Sequence, residues 1–244
     1  MKNIIGFAAV LVFCLSLFLL ASKKYEKPAQ NAPPTIVRHD DLVQKYNDKI
    51  NKIYTFSADI ETNNGVNAKL MYDKKNNQFQ FVAFSGLGKE MDIGTNKDFF
   101  WFWSRRYDSK LYYSEKTNIN KCNLKPQFNP NFLVKVIGIE PIKDVIQTNS
   151  GIIAFQELDK MVYVCNINQN PTNHILYNNN KAIAFARILS VQAVGEYIVP
   201  KQVELNFPEE KLLINWTFKN IQINTLGDNK WNVPDIKPKI LIGS

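Results

Sequence analysis

The run Asp98-Phe99-Phe100-Trp101-Phe102-Trp103-Ser104 is the feature that most restricts how this chain folds. A strand sends alternate side chains to opposite faces, so Phe99, Trp101 and Trp103 share one face while Phe100 and Phe102 share the other. Both faces are therefore apolar. Such a strand lies within a sheet covered on both sides, or beside a cavity that takes something apolar. Core packing is the plainer reading, because buried aromatics are mainly packing residues.

Around this run the hydrophobic pattern has period two. It predicts strands at 56–62, 67–72, 78–84, 90–94, 99–104 and 110–114. The connections carry turn signals, namely Asn63-Asn64-Gly65, 74–77, Gly86 to Gly88, Asn96-Lys97 and Asp108-Ser109. Connections this short make antiparallel neighbours, hence a meander. A second series is predicted at 151–157, 161–166, 175–177, 182–191, 201–207, 211–218 and 220–224. There Leu212, Ile214, Trp216 and Phe218 oppose Leu213, Asn215 and Thr217, and Val203, Leu205 and Phe207 oppose Gln202, Glu204 and Asn206. One face is buried and one is wet.

Two segments have helical spacing instead. Asp40 or Asp41 caps a helix carrying Leu42, Tyr46, Ile50 and Ile53, and Phe132, Leu133, Val136 and Ile137 share one face of a short helix that stops at Gly138 before Pro141. Open sheets of many strands must curl or split. The prediction is mainly β: a single strongly curved antiparallel sheet, an incomplete β-barrel of about 11–12 strands, with two helices lidding its concave apolar face.

Residues 4–21 are an unbroken apolar run behind Met1-Lys2-Asn3, with small residues at Ala21 and Ser22. Residues 1–22 therefore read as a secretory signal or an N-terminal membrane anchor, and both alternatives stay open. Cys14 is not a lipid-acylation site, because Phe13 stands where a small residue is needed and the apolar run continues beyond it. Residues 23–37, with Pro28, Pro33 and Pro34, are a tether, and 38–244 is the folded body. The body is expected to be exported. Its two cysteines, Cys122 and Cys165, are then a pair permitted to form a disulfide.

The formal charge of +8 suits an anionic surface. Nucleic acid is not the expected partner, because the lysines are scattered and only Arg38, Arg105, Arg106 and Arg187 supply guanidinium groups. Neither His39 nor His174 sits in a partner pattern, and the common hydrolase, nucleotide and metal signatures are absent. Glu90 and Asp92 share a strand face, which reads as solvated because Met91 and Ile93 alternate with them. An enzyme is not expected, nor is a cofactor or a bound metal. Leu87, between Gly86 and Gly88, reads either as a residue folded back on the core or as an exposed probe for a membrane or a partner's groove.

The order of a helix, a strand pair reading FSGLGKEMDIG (84–94), a helix reading NFLVKVIGIEP (131–141) and returning strands resembles the bacterial lipoprotein-localisation factors, the LolA- and LolB-like carriers and acceptors. The resemblance spans roughly residues 38–236. It implies an incomplete barrel lidded by helices, an apolar cavity for lipoprotein acyl chains, and a leucine protruding after the third strand, the place held here by Leu87. It also implies a periplasmic or outer-membrane setting in a Gram-negative-type bacterium.

These observations lead to an expected envelope protein that binds acyl chains of lipoproteins or lipids, meets a membrane surface and a partner carrier protein, and does no covalent chemistry. The expected cavity residues are Phe79, Phe81, Met91, Ile93, Trp101, Trp103, Leu133, Ile137, Leu205, Ile214 and Trp216. Register decides which aromatic face looks inward, and Trp101 with Trp103 is the expected inward pair. The alternative is a membrane-tethered structural or protein-interaction module with a filled β core.

Overall fold

The computed structural model describes residues 40–122, 124–141, 144–148, 151–158, 161–168, 170–178, 181–226 and 231–243. The amino-terminal run, Cys14, the proline tether and His39 lie outside the described residues. Helix α1 (Asp40–Ile50) leads into a six-strand meander: β1 (Thr55–Thr62), β2 (Asn67–Asp73), β3 (Gln78–Ser85), β4 (Gly88–Thr95), β5 (Phe99–Ser104) and β6 (Leu111–Glu115). Helix α2 (Pro130–Ile137) follows, and then a second meander: β7 (Asp144–Thr148), β8 (Gly151–Leu158), β9 (Met161–Asn168), β10 (Asn170–Asn178), β11 (Lys181–Val194), β12 (Tyr197–Phe207) and β13 (Leu212–Ile223). A last strand, β14 (Lys239–Leu241), runs parallel to β6.

The fourteen strands of the described residues join one open sheet in the order β14-β6-β5-β4-β3-β2-β1-β13-β12-β11-β10-β9-β8-β7. The two meanders meet where β13 pairs antiparallel with β1. This is the predicted curved, open, mainly β architecture. The structure adds β7 and β14 at its two edges, and it merges the last two predicted strands into β13. That merger hides a bulge: Ser57 pairs Gln222 and Asp59 pairs Lys219, and Asn220 adopts φ +49°. Asn220 Nδ2 donates to Asp59 Oδ2 at 2.8 Å, which holds the irregular turn of chain against β1. A polar residue in a left-handed conformation reads as a break in sequence, yet the ladder continues past it.

Helix α2 crosses the concave face because its ends are satisfied locally and nearly all its sides are apolar. Asn129 caps its start, its side chain accepting from the N–H of Asn131 at 2.9 Å, and Pro130 occupies the first turn. Gly138 ends it at φ +73°, a left-handed position that glycine takes without a Cβ clash. Phe132, Leu133, Val134, Val136 and Ile137 are all buried, in one cluster with Phe56, Leu70, Phe100, Val203 and Phe218 from the sheet. Phe132 meets Phe207 edge-on at 6.1 Å. Tyr46 of α1 donates to the carbonyl of Gly138 at 2.9 Å, tying the two helices together.

Candidate functional site

Strands β3 to β6 carry both the open end of this core and the aromatic run. At the end of the sheet where β3 and β5 begin, a cavity of about 540 Å³ opens between the strands and the start of α2. Its floor is Phe79, Phe99, Ile119, Pro130 and Val134, and Lys97, Asp98 and Lys116 are among its polar residues. Local hydrogen bonds shape the rim. Asn96 Oδ1 accepts from the N–H groups of Asp98 and Phe99 at 2.9 and 2.7 Å, which bends the chain and presents Lys97 to Phe99. Lys116 Nζ donates to the carbonyls of Asn77 and, at 3.1 Å, Asn96, joining two hairpin ends. Burial holds its ammonium below the ordinary lysine range.

The expected cavity residues divide into three groups. Phe79 lines the cavity. Phe81, Ile93, Leu133, Ile137, Leu205 and Trp216 are buried in the concave-face core, and Met91 and Ile214 are half-buried against it. Rings fill that region by stacking on one another, with Phe81 on Trp216 at 5.3 Å and Phe102 on Phe128 at 4.4 Å. Trp101 and Trp103 lie elsewhere: with Leu111 they form a separate cluster, against Tyr113, Val233 and Ile236. The inward pair is instead Phe100 and Phe102, which join the core with α2. Register is the reason. Ile93 pairs Phe102 and shares its face, whereas Trp101 and Trp103 pair Gly94 and Asp92 on the other face.

That second face is where the sequence misleads most. Glu90 and Asp92, which read as solvated, are 4% and 1% exposed. Asp92 accepts from Trp101 Nε1 at 2.9 Å, Gln80 Nε2 at 3.3 Å and Lys89 Nζ at 2.9 Å. The Trp101 ring lies over Gly94 so closely that a Cβ there would sit 2.2 Å from it. Residues 231–241 form the cover: Asn96 Nδ2 donates to the carbonyl of Trp231 at 3.0 Å, Val233 and Ile236 pack on the tryptophans, and Leu111 N–H donates to Pro238 O at 3.0 Å. A cover from the far end of the chain leaves no local signal. The alternation of Glu90, Asp92 and Gly94 opposite an aromatic run was the available hint.

Other groups noted in the sequence are placed as follows. Of the two cysteines permitted to pair, Cys122 is a free thiol whose Sγ donates to Asn118 O at 3.2 Å. Cys165 sits on β9 opposite His174 of β10. His174 is buried, and burial, with Lys135 contributing, pushes its pKa down to about 4, so the ring is neutral at pH 7. Tyr72 donates to Glu140 Oε1 at 2.6 Å. Its hydroxyl is held protonated, mainly by burial and then by the charge of Glu140. Among the described residues no cluster of three or more His, Cys, Asp and Glu is placed to hold a metal, and no helix is long and apolar enough to cross a membrane.

No protein-family model matches the sequence, and no curated protein matches it. The fold does have solved counterparts. An outer membrane lipoprotein-sorting protein domain from Vibrio parahaemolyticus superposes with a TM-score of 0.53 at 10% identity, over 79% of this chain and 95% of that one. The chain shares the fold of that domain. A LolA superfamily protein from Nitrosomonas europaea aligns less closely, with a TM-score of 0.48 at 10% identity, over 80% of this chain and 98% of that one. The open, curved sheet that the resemblance implied is thus matched by a solved fold.

Within this fold, the turn after the third strand is the most exposed apolar point among the described residues. Leu87 is 80% exposed, and Phe84 on β3 and Tyr107 in the turn after β5 are also exposed. Gly88 carries φ +102°, which turns the chain so that Leu87 stands at its tip. Of the two readings of Leu87, folded back or exposed, the exposed one describes the structure. Arg105, Arg106 and Lys89 flank the tip, and Arg106 keeps 69% of its side chain in solvent. This tip and the cavity lie at opposite ends of strands β3 to β5, since Phe79, Thr95 and Phe99 are at one end and Ser85, Gly88 and Ser104 at the other.

Proposed function

We propose that this protein works in a bacterial envelope as a non-covalent carrier or acceptor of acyl chains, belonging to lipoproteins or lipids, and that it holds them at the cavity between β3, β5 and α2. The observation that carries the reading is that cavity itself: about 540 Å³ with an aromatic and aliphatic floor, on the lipoprotein-sorting fold. Its size falls within the usual range of ligand pockets, about 300–1,000 Å³. Burying an acyl chain yields about 0.8 kcal/mol per methylene, enough to hold a lipid without chemistry. In this reading the deep residues Phe81, Ile93, Leu133, Ile137, Leu205 and Trp216 back the cavity, while Phe79, Phe99, Ile119 and Val134 touch the ligand. Leu87, with Phe84 and Tyr107, meets the bilayer, and Arg105, Arg106 and Lys89 favour anionic headgroups. Export follows from residues 1–22, as a cleaved signal or a retained anchor, with 23–37 as tether and 38–244 as the working domain. A carrier that hands over or receives the chain is the partner.

The stacked rings of the deep core favour a second reading, an interaction module with a filled interior, and one experiment separates the two. Organic extracts of the purified full-length chain are analysed by mass spectrometry, and the stripped protein is titrated with a fluorescent fatty acid. The carrier reading expects co-purified lipid and saturable uptake, which Val134→Trp reduces at least fivefold by filling the cavity. Absence of both lipid and uptake would overturn it.

A further inference from the structure

Leu87 is held at both of its main-chain polar groups. Its N–H donates to Ser85 Oγ at 3.1 Å, and its carbonyl accepts from Arg105 Nη1 at 2.9 Å. The same two side chains reach onward to a single carboxylate. Ser85 Oγ–H and Arg105 Nη2–H both donate to Glu90 Oε1, and Arg106 Nε donates to Oε2 at 3.0 Å. The backbone closes the arrangement, since Arg105 N–H donates to the carbonyl of Glu90 at 2.8 Å. Glu90 itself is buried while Arg105 and Arg106 reach it from the solvent side, and these part-buried, charge-assisted bonds are stronger than bonds between neutral groups.

A turn flanked by two glycines has the opposite intrinsic tendency. Gly86 and Gly88 leave the backbone many conformations, and a free leucine there would lower its exposed area by lying against Phe84 or Tyr107. In the structure Leu87 instead stays 80% exposed. We propose that Glu90 is a positioning residue: through Ser85 and Arg105 it fixes the backbone of Leu87, so that the leucine is presented ready to enter an anionic bilayer surface. The proposal rests on the reading of Leu87 as the membrane contact. Its physical content is that the ordering entropy of the tip is already spent in the free protein, so insertion loses less conformational freedom. Glu90 also keeps Arg105 beside the tip, where its guanidinium adds to the positive rim with Arg106 and Lys89.

Three measurements on the full-length chain test this. Amide hydrogen exchange of the wild-type protein should show the Leu87 N–H protected at least tenfold over its intrinsic rate, and exchange at the intrinsic rate would overturn the proposal with no variant needed. Ser85→Ala and Glu90→Gln should each abolish that protection. Each should also weaken partition to phosphatidylglycerol vesicles at least threefold. Glu90→Gln removes a negative charge, so simple electrostatics predicts tighter binding and the clasp predicts weaker; unchanged or tighter partition of both variants would overturn it. Leu87→Ala separates the two readings. If it binds vesicles as the wild type does, the membrane contact fails, and the exchange data alone decide whether the clasp exists. If it loses binding while Ser85→Ala and Glu90→Gln keep theirs, the contact stands and the positioning role falls.

Discussion

The two faces of the aromatic strand β5 are both buried, but they are built by different physics. On the concave side Phe100 and Phe102 meet Phe128 and the α2 cluster, ring against ring and aliphatic chain. On the convex side Trp101 and Trp103 each spend an N–H on a defined acceptor, Asp92 Oδ1 at 2.9 Å and Ser109 O at 3.2 Å, beneath a cover of residues 231–236. Apolar packing is non-directional and tolerates re-arrangement, whereas buried hydrogen bonds admit few geometries. The difference teaches where a ligand can be accommodated. The face of interchangeable hydrocarbon contacts opens at its end into the cavity, where the proposed function places an acyl chain, while the hydrogen-bonded face holds the sheet's register behind it.

The largest expected effect tests the concave side. Phe132→Ala removes a fully buried ring from α2 and should cost about 3–5 kcal/mol of unfolding free energy in a denaturant titration, as large-to-small core changes do. A loss below about 1 kcal/mol would mean that the helix is loosely seated and the two faces are more alike than argued. Next comes Gly94→Ala on the convex side, where the added Cβ meets the Trp101 ring. It should cost about 1–3 kcal/mol by overpacking, with a changed tryptophan near-ultraviolet signal, because the ring cannot shift without giving up its bond to Asp92.

The smallest effect concerns the pH response of Glu90, on the convex side. The Ser85 hydroxyl, with Arg106 and Arg105, holds the Glu90 carboxyl below its ordinary value of 4.5, against the opposing influence of burial. A folded-state pKa below the unfolded one gives stability that is complete above the unfolded value and is lost as pH falls from there through the folded value. Stability should therefore decline below about pH 4.5, and comparison of melting curves should show a shallower decline in Glu90→Gln. Equal acid sensitivity in the two proteins would assign the decline to other carboxylates.

Much of this could be read directly along the chain. Turn residues announced themselves: Gly65, Asn77, Gly88 and Ser109 all take positive φ at predicted turns. Phe132, Leu133, Val136 and Ile137 gave α2 from spacing alone, and Gly138 gave its end. Leu87 was marked by its glycine neighbours. The candidate site was only partly visible, since Phe79 was foreseen in the cavity while Phe99, Ile119 and Val134 were not.

Residue order alone is enough to give β5 two apolar faces, to set the strands in antiparallel meanders and to put helices over one side. Those properties depend on local conformation and on the period of side-chain burial, which neighbouring residues settle between themselves. Only the tertiary structure decided that the phenylalanines face the helix and the tryptophans face residues 231–236, and that Glu90 and Asp92 are buried rather than wet. Those outcomes turn on register and, for the tryptophans, on contact with a segment over a hundred residues away. A one-residue slip would exchange the two faces without altering any local preference.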